Sequence, residues 1–303
     1  MNYPASISLK EQRNLFFNNF PIRVISPAKI NLYLNIIGKY KNGFHKIESI
    51  VNRVSIFDEL LISVNRSNKI NIFCNHKELE NEDNLCFKAA KLIKEKFNLP
   101  FGFNIFLKKN IPLGAGLGGG SSNAAFTLKG INKLLDLRIP QRDLFKLGAI
   151  LGSDVNFFLK DTSWGYMEGK GEKVTCLDLE TKLKYLVVYP NIKLSTKVVY
   201  QNTKVGLTKF INRVNILIYL LRQKDLSLVE KFCFNCLEKS AFNLDSNLKS
   251  VKEFFERRGF FCMMSGSGSA FFTILNRYSK KAENTLKKEF YNKGWSIFEA
   301  QTY

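Results

Sequence analysis

The run NIPLGAGLGGGSSNAAFTLKGIN, residues 110–132, holds six glycines, five of which stand with two serines in front of a helical pattern. Glycine lets main-chain N–H groups approach a ligand closely. A helix start adds unpaired donors and the positive end of a dipole. Together they make a cradle for phosphate. A Walker A loop would need Gly-Lys-Ser/Thr, and here Gly119-Gly120 runs straight into Ser121-Ser122. The spacing Gly114, Gly116, Gly119 also spells G-x-G-x-x-G. A dinucleotide fold would enter that loop directly from a strand and would want an acid at the end of the next strand. KKNIP intervenes before the loop, and Asp136 ends the same helix.

Cys233 and Cys236 form a C-x-x-C with no second pair and no histidine at ligand spacing. The surrounding LSLVEKFCFNCLEKSAF reads as one amphipathic helix, with Val229, Phe232, Cys233 and Cys236 on one stripe. The pair is therefore expected to be small buried hydrophobes, and a reducing compartment follows.

The elements that must position the loop come next. VISPAKINLYLNIIGKY alternates as a strand, with Ile30, Leu32, Leu34 and Ile36 on one face and Asn31, Tyr33 and Asn35 on the other. Asn42-Gly43 signals a turn. IESIVNRVSIFDELLISV, INIFCN and FGFNIFLKKNI read as strands, NLCFKAAKLIKEKFNL as a helix. The loop's helix is expected over 123 to about 135, and QRDLFKLGAILG forms another that leads into SDVNFFLK. After LKYLVVYPN two long helices are expected, then strand, glycine turn and strand in GFFCMMSGSGSAFFTIL.

A length of 303 residues exceeds one comfortable core and favours two domains, and 45% hydrophobic residues suffice to build them. No apolar run reaches the ~18 residues of a membrane helix, and the first 20 residues lack a signal-peptide core. A cytoplasmic protein is expected. The 46 basic against 26 acidic residues give +20, compatible with nucleic acid or with a small polyanionic substrate. The lysines are scattered and form no basic arm, so a solvated surface is the reading adopted.

The pattern P-x-G-x-G-L-G-x-x-S-S-x-A-A resembles the ATP loop of the GHMP kinases. It runs through Pro112, Leu113, Gly114, Ala115, Gly116, Leu117, Gly118, Gly119, Gly120, Ser121 and Ser122 to Ala124-Ala125. SPAKINLYLNIIGKYKNGFHKIES, LGSDVNFFL and MMSGSGSAFF are similar, in the expected order, to the superfamily branch acting on a cytidine-diphosphate-linked methylerythritol. The resemblance implies an α/β (α+β) two-domain GHMP kinase fold. Residues 1–21 would be a loosely ordered extension. Residues 22–180 would be the ATP-binding domain, like ribosomal protein S5 domain 2, and residues 181–303 a ferredoxin-like C-terminal domain.

The implied reaction is ATP-dependent phosphorylation of the 2-hydroxyl of that substrate, a step toward isoprenoid precursors. Asp154 would be the catalytic base and Lys29 the cation that keeps it ionised and stabilises the transferred phosphoryl group. Read alone, Asp154 is equally a polar helix end in a helix-to-strand turn, and Lys29 a surface lysine. Substrate would be held by Asn31, by Phe44 and His45 with Tyr200 around the cytosine, and by Thr196, Ser265, Gly266, Ser267 and Gly268. ATP would bring Mg2+, with Ser121 or Ser122 as candidate hydroxyls, and no tightly bound prosthetic group is expected. Small molecules are the expected partners, without nucleic acid or membrane and with a homodimer left open.

Three positions depart from the pattern. Phe44 stands for Tyr, Asn156 for Pro, and Asn123 where many members carry Asp. Other classes compatible with the chain are a different GHMP kinase of the homoserine or mevalonate type, a catalytically silent regulator of this fold, and a basic nucleic-acid-binding protein.

Overall fold

The structure, a computed structural model, describes residues 20–203 and 213–303. All but the last two residues of the expected N-terminal extension lie outside the described residues. Packing divides the chain into two units. Of the described residues, the first comprises those up to Ser26 with Phe57–Asn110 and Gly119–Asp161; the second comprises Pro27–Ile56, Ile111–Gly118 and those from Thr162 to Tyr303. These units sort residues by contact, not by chain order, so they follow different lines from a cut at residue 180. Two long strands, β1 (Ile22–Lys39) and β2 (His45–Asn65), pass through both.

In the first unit the second half of β2 pairs antiparallel with β4 (Gly102–Lys108), from Glu59↔Lys108 to Asn65↔Gly102. Parallel to β4 lies β3 (Ile70–Cys74). The helix α1 (Leu85–Lys96) starts where Asn84 accepts the Cys86 N–H at 2.8 Å. Its buried Cys86, Ala89, Ala90 and Ile93 follow the helical spacing and face α2 (Gly119–Leu134). Gly130 lets α2 sit close to the strands, since a Cβ there would lie 2.9 Å from Ile62 Cδ1. The helix α3 (Gln141–Leu151) and the short α4 (Val155–Leu159) complete this unit.

In the second unit the first half of β2 pairs with β5 (Trp164–Gly169), and β5 with β6 (Lys173–Cys176). A second sheet has the order β11 (Ser296–Gln301), β7 (Lys184–Tyr189), β10 (Phe271–Ile274), β9 (Met263–Met264), antiparallel throughout. Strand alternation sends Leu186 and Val188 to one face and Tyr185 and Val187 to the other. The first pair meets Leu248, Val251 and Phe255 of α9 (Asn247–Glu256) and Leu286 and Phe290 of α10 (Lys280–Tyr291).

Two long helices were expected between the sheets' strands. The described residues instead form α5 (Thr196–Gln201), α6 (Arg213–Arg222), α7 (Leu226–Phe232), α8 (Glu238–Leu244) and α9. Lys224, in the left-handed region at φ +57°, breaks the chain after α6, and Asp225 caps α7 through the Ser227 N–H at 3.2 Å. The expected helix around Cys233 and Cys236 is interrupted as well. Phe234 and Asn235 form β8, paired in parallel with Tyr33 and Leu34 of β1. Both cysteines are free, and burial pushes the Cys236 thiol up to about 11. On β1 the polar face is buried along with the apolar one, from Ser26 to Ile36.

Gly102 tests how tightly β4 is seated. A Cβ there would fall 1.8 Å from the Lys69 carbonyl oxygen, which accepts the Phe103 N–H at 3.1 Å. Backbone cannot swing aside as a flexible side chain can. Gly102→Ala is expected to destabilise by ~2 kcal/mol or more, read as a lower urea midpoint at unchanged slope. Gly130→Ala, which meets only side-chain methyl groups of Ile62 and Val24, is expected to cost less.

Candidate functional site

The glycine-rich run is held through its acceptors. Five consecutive carbonyls are bound within the second unit. Leu113 O accepts from the Tyr189 hydroxyl at 3.0 Å, Gly114 O from Ser269 N at 3.3 Å, and Ala115 O from Ala270 N at 3.0 Å. Gly116 O accepts from the Ser265 hydroxyl at 3.2 Å, and Leu117 O from Lys29 N at 3.0 Å. Phosphate needs the donors of such a loop, not its acceptors. Gly114, Gly116 and Gly118 take φ of +64°, +74° and +70°, where a side chain is strained. At Gly116 a Cβ would also lie 2.0 Å from the Ser265 carbonyl oxygen.

The second glycine turn brings Lys29 to the same place. A Cβ on Gly266 would sit 2.9 Å from Gly116 O and 3.1 Å from Lys29 Nζ. Lys29 and Asn31 are each 4% exposed, so neither is a surface residue. Lys29 Nζ donates to Asn31 Oδ1, and Asn31 Nδ2 donates to Ser49 Oγ at 2.8 Å. Ser49 in turn donates to Tyr33 O at 2.6 Å. This relay orients the polar face of β1. Thr196 and Ser267 share a hydroxyl hydrogen bond at 2.9 Å.

Sequence reasoning missed Asn235. Its amide donates to Met264 O at 2.7 Å and to Gly266 O at 2.8 Å, while its own oxygen accepts Leu237 N at 3.0 Å. It therefore carries the glycine turn that faces Lys29. The helical reading of its surroundings hid it; the signal available was an amide at an otherwise apolar position.

Of the expected base-binding residues, His45 and Tyr200 meet in this unit. The rings of His45 and Tyr200 lie 5.6 Å apart at 39°. Phe44 is 55% exposed, and Lys170 Nζ stands 4.8 Å from its ring centroid. Burial, with the nearby charge of Lys39, holds His45 below the usual imidazole value. A neutral imidazole offers one donor and one acceptor.

The first unit holds the rest. Ser122 is fully buried, its oxygen accepting from the Ser26 hydroxyl at 2.8 Å, whereas Ser121 is partly exposed. Ser121 Oγ lies 3.7 Å from the position of a Cβ on Gly152, two residues before Asp154. Asp154 precedes α4, so its turn joins two helices and not a helix to a strand as expected. VNFFL packs against α2 and α3 and is too short to show a helical period. Asn156, which stands where Pro was expected, is buried beside Gly148, whose missing Cβ would fall 2.3 Å from Asn156 Oδ1. Asn123, which stands where many members carry Asp, lies in a buried polar network with Ser26, Asp58 and Lys109. Asp154 thus belongs to the first unit and Lys29 to the second.

Residues 84–161 match the family model for the GHMP kinases N terminal domain, and residues 217–292 that for GHMP kinases C terminal. The chain is similar to 4-diphosphocytidyl-2-C-methyl-D-erythritol kinase of Syntrophus aciditrophicus (strain SB), 36% identical over 283 residues, covering 91% of this chain and 98% of the relative. It is 37% identical over 306 residues to the same-named kinase of Prochlorococcus marinus (strain MIT 9215), covering 91% and 94%. A crystal structure of 4-(cytidine 5'-diphospho)-2C-methyl-D-erythritol kinase is similar with a TM-score of 0.75 at 28% identity, covering 92% of this chain and 98% of that one. The two-domain α/β GHMP kinase fold expected from the motifs is the fold of this chain.

Asn235→Ala removes the donor for two buried carbonyls on the turn beside Lys29. Leaving such groups unsatisfied costs about 1–3 kcal/mol, so the denaturation midpoint is expected to fall accordingly. An unchanged midpoint would contradict the anchoring role.

Proposed function

Since the chain belongs to the 4-diphosphocytidyl-2-C-methyl-D-erythritol kinases of the GHMP superfamily, we infer that it transfers a phosphoryl group from ATP to the 2-hydroxyl of 4-diphosphocytidyl-2-C-methyl-D-erythritol. The reaction belongs to isoprenoid biosynthesis by the methylerythritol phosphate pathway. The observation that carries this reading is identity of 36–37% along nine-tenths of the chain, with lysine, aspartate and all four motifs in place. On this reading residues 22–180 form the ATP-binding domain and residues 181–303 the second domain. The family models at 84–161 and 217–292, one on each side of residue 180, support that division. Among the described residues no helix is long and apolar enough to cross a membrane, and we place the enzyme in the cytoplasm.

Phosphoryl transfer asks the protein chiefly for positioning and for charge. The loop from Pro112 to Ser122 is assigned to the ATP phosphates; its five bound carbonyls support the assignment by holding its backbone in one conformation. Lys29, buried and oriented by Asn31, is assigned to the transferred phosphoryl group. Asp154 takes the proton of the attacking hydroxyl as general base. Ser265 to Gly268 and Thr196 position the acceptor; Phe44, His45 and Tyr200 hold the cytosine, where the depressed basicity of His45 supports a neutral hydrogen-bonding ring. Magnesium brought with ATP would neutralise phosphate charge. Of the two serines Ser121 fits it better, because the Ser122 hydroxyl is buried against Ser26.

An ADP-release assay across the cytidine-diphosphate substrate, mevalonate and homoserine is expected to give turnover with the first alone. In the same assay Asp154→Asn is expected to lower kcat by ~10² or more with ATP still bound. A near-normal kcat in the folded variant would remove Asp154 from the mechanism.

Gly118→Val places a branched side chain at φ +70° within the loop. ATP binding is expected to be lost, as measured by titration calorimetry with a non-hydrolysable analogue. Unchanged affinity in a folded variant would refute the loop assignment.

A further inference from the structure

A buried charge pair includes Lys109, the residue just before the glycine-rich run in the chain, and the transfer reading leaves it without a role. Asp58 and Lys109 have side chains 0% and 3% exposed. Lys109 Nζ donates to Asp58 Oδ2 and, at 3.1 Å, to Asn123 Oδ1. Asn123 Nδ2 donates to Asp58 Oδ2 at 2.8 Å and to Ser26 Oγ at 2.9 Å. The other carboxylate oxygen, Asp58 Oδ1, accepts the main-chain N–H of Asn110 at 2.7 Å. Asn75 adds a clasp on Lys109, donating to its carbonyl at 3.0 Å and accepting its N–H at 2.7 Å.

The chain positions of these partners give the pair its meaning. Asn110 is the residue by which the chain enters the glycine-rich run, and Asn123 lies in the helix by which it leaves. One carboxylate therefore ties both ends of the glycine-rich segment. We propose that Asp58 is a positioning residue that sets the closure of the ATP loop, with Lys109 and Asn123 as its instruments. The proposal rests on the assignment of residues 112–122 to ATP.

Physics supports a role beyond packing. Two buried charges are expensive to desolvate, and replacing such a pair with apolar groups is often neutral or stabilising. Stability alone gives little reason to keep it. Closing a glycine-rich loop costs chain entropy, and a loop closed in advance spares that cost when ATP binds. None of the partners named above is a cytosine-binding residue, so loss of the ion pair should register on ATP and not on the other substrate.

Asp58→Asn turns an acceptor into a donor that faces two donors, Lys109 Nζ and Asn123 Nδ2. The KM for ATP is expected to rise about tenfold or more, with that for the cytidine-diphosphate substrate unchanged. The double variant Asp58→Asn with Asn123→Asp exchanges amide and carboxylate. It keeps one negative charge beside Lys109 and lets residue 58 still accept from Asn110, so the KM for ATP is expected to return toward the parent value. Should Asp58→Asn not fold, Asn123→Ala keeps the ion pair, cuts the exit tie and carries the same expectation for ATP. A lower melting temperature with an unchanged KM for ATP, or no recovery in the exchanged variant, overturns the proposal. Loss of ATP binding in Gly118→Val alongside an unchanged KM in Asp58→Asn would overturn the anchor alone. Intact ATP binding in Gly118→Val would remove the loop assignment and the anchor with it.

Discussion

Main chain packs directly on main chain where Gly116 meets Ser265, and much of the second unit's site is built outward from that contact. A side-chain carbon at Gly116 would stand 2.0 Å from the Ser265 carbonyl, closer than atoms can approach. Because none is there, Ser269 and Ala270 can donate to Gly114 and Ala115, and the Ser265 hydroxyl to Gly116. The next carbonyl, of Leu117, receives the N–H of Lys29, which ties β1 to the loop at the residue assigned to the phosphoryl group. Gly266 then passes within 3.1 Å of the lysine's ammonium at the position its own Cβ would occupy. Two glycine motifs about 150 residues apart in the chain are thus one structural unit.

The contact forces a second constraint on β1. A strand covered on both faces cannot leave its polar side chains to water, and buried polar groups cost free energy unless they are bonded. Asn31 meets this by accepting from Lys29 and donating to Ser49, which donates to Tyr33 O. The same need explains Asn235, which supplies two donors to a turn whose carbonyls face inward. Polarity on this strand is therefore a hydrogen-bonded relay, and the residues assigned to chemistry sit at its end.

What the sequence revealed follows from how local each requirement is. Glycine motifs announce themselves because a positive φ and a close approach are demands on single residues. Helices such as α1 were legible from the spacing of Cys86, Ala89, Ala90 and Ile93 with Asn84 before them. Periodicity failed where elements were too short to repeat their pattern: VNFFL gave no sign of α4, and the two residues of β8 vanished inside an apparently amphipathic helix. It also failed to show that the polar face of β1 is buried, since alternation reads the same whichever material covers that face. The network around Asp58 was illegible for another reason. Its hydrogen-bonded partners lie 14 to 97 residues apart, and an aspartate at a strand's middle resembles ordinary surface polarity until its partners are placed.

Charge makes the same point at the scale of the chain. A net +20 suggests a polyanion as partner, yet the lysines of α10 show where most such charge resides. Leu286 and Phe290 face the core, while Lys280, Lys281 and Lys288 are exposed, with Lys280 paired to Glu283 in an i,i+3 bridge. Pairs of that kind contribute ~0–1 kcal/mol and are screened by salt. Lys29 and Lys109 differ in kind, being buried where each hydrogen bond is stronger and each lost bond more costly. Both adjoin the same glycine-rich run, Lys29 through the Leu117 carbonyl and Lys109 through the chain itself. Among the described residues the excess of positive charge lies at the surface; the placement of two ammonium groups is what bears on phosphate.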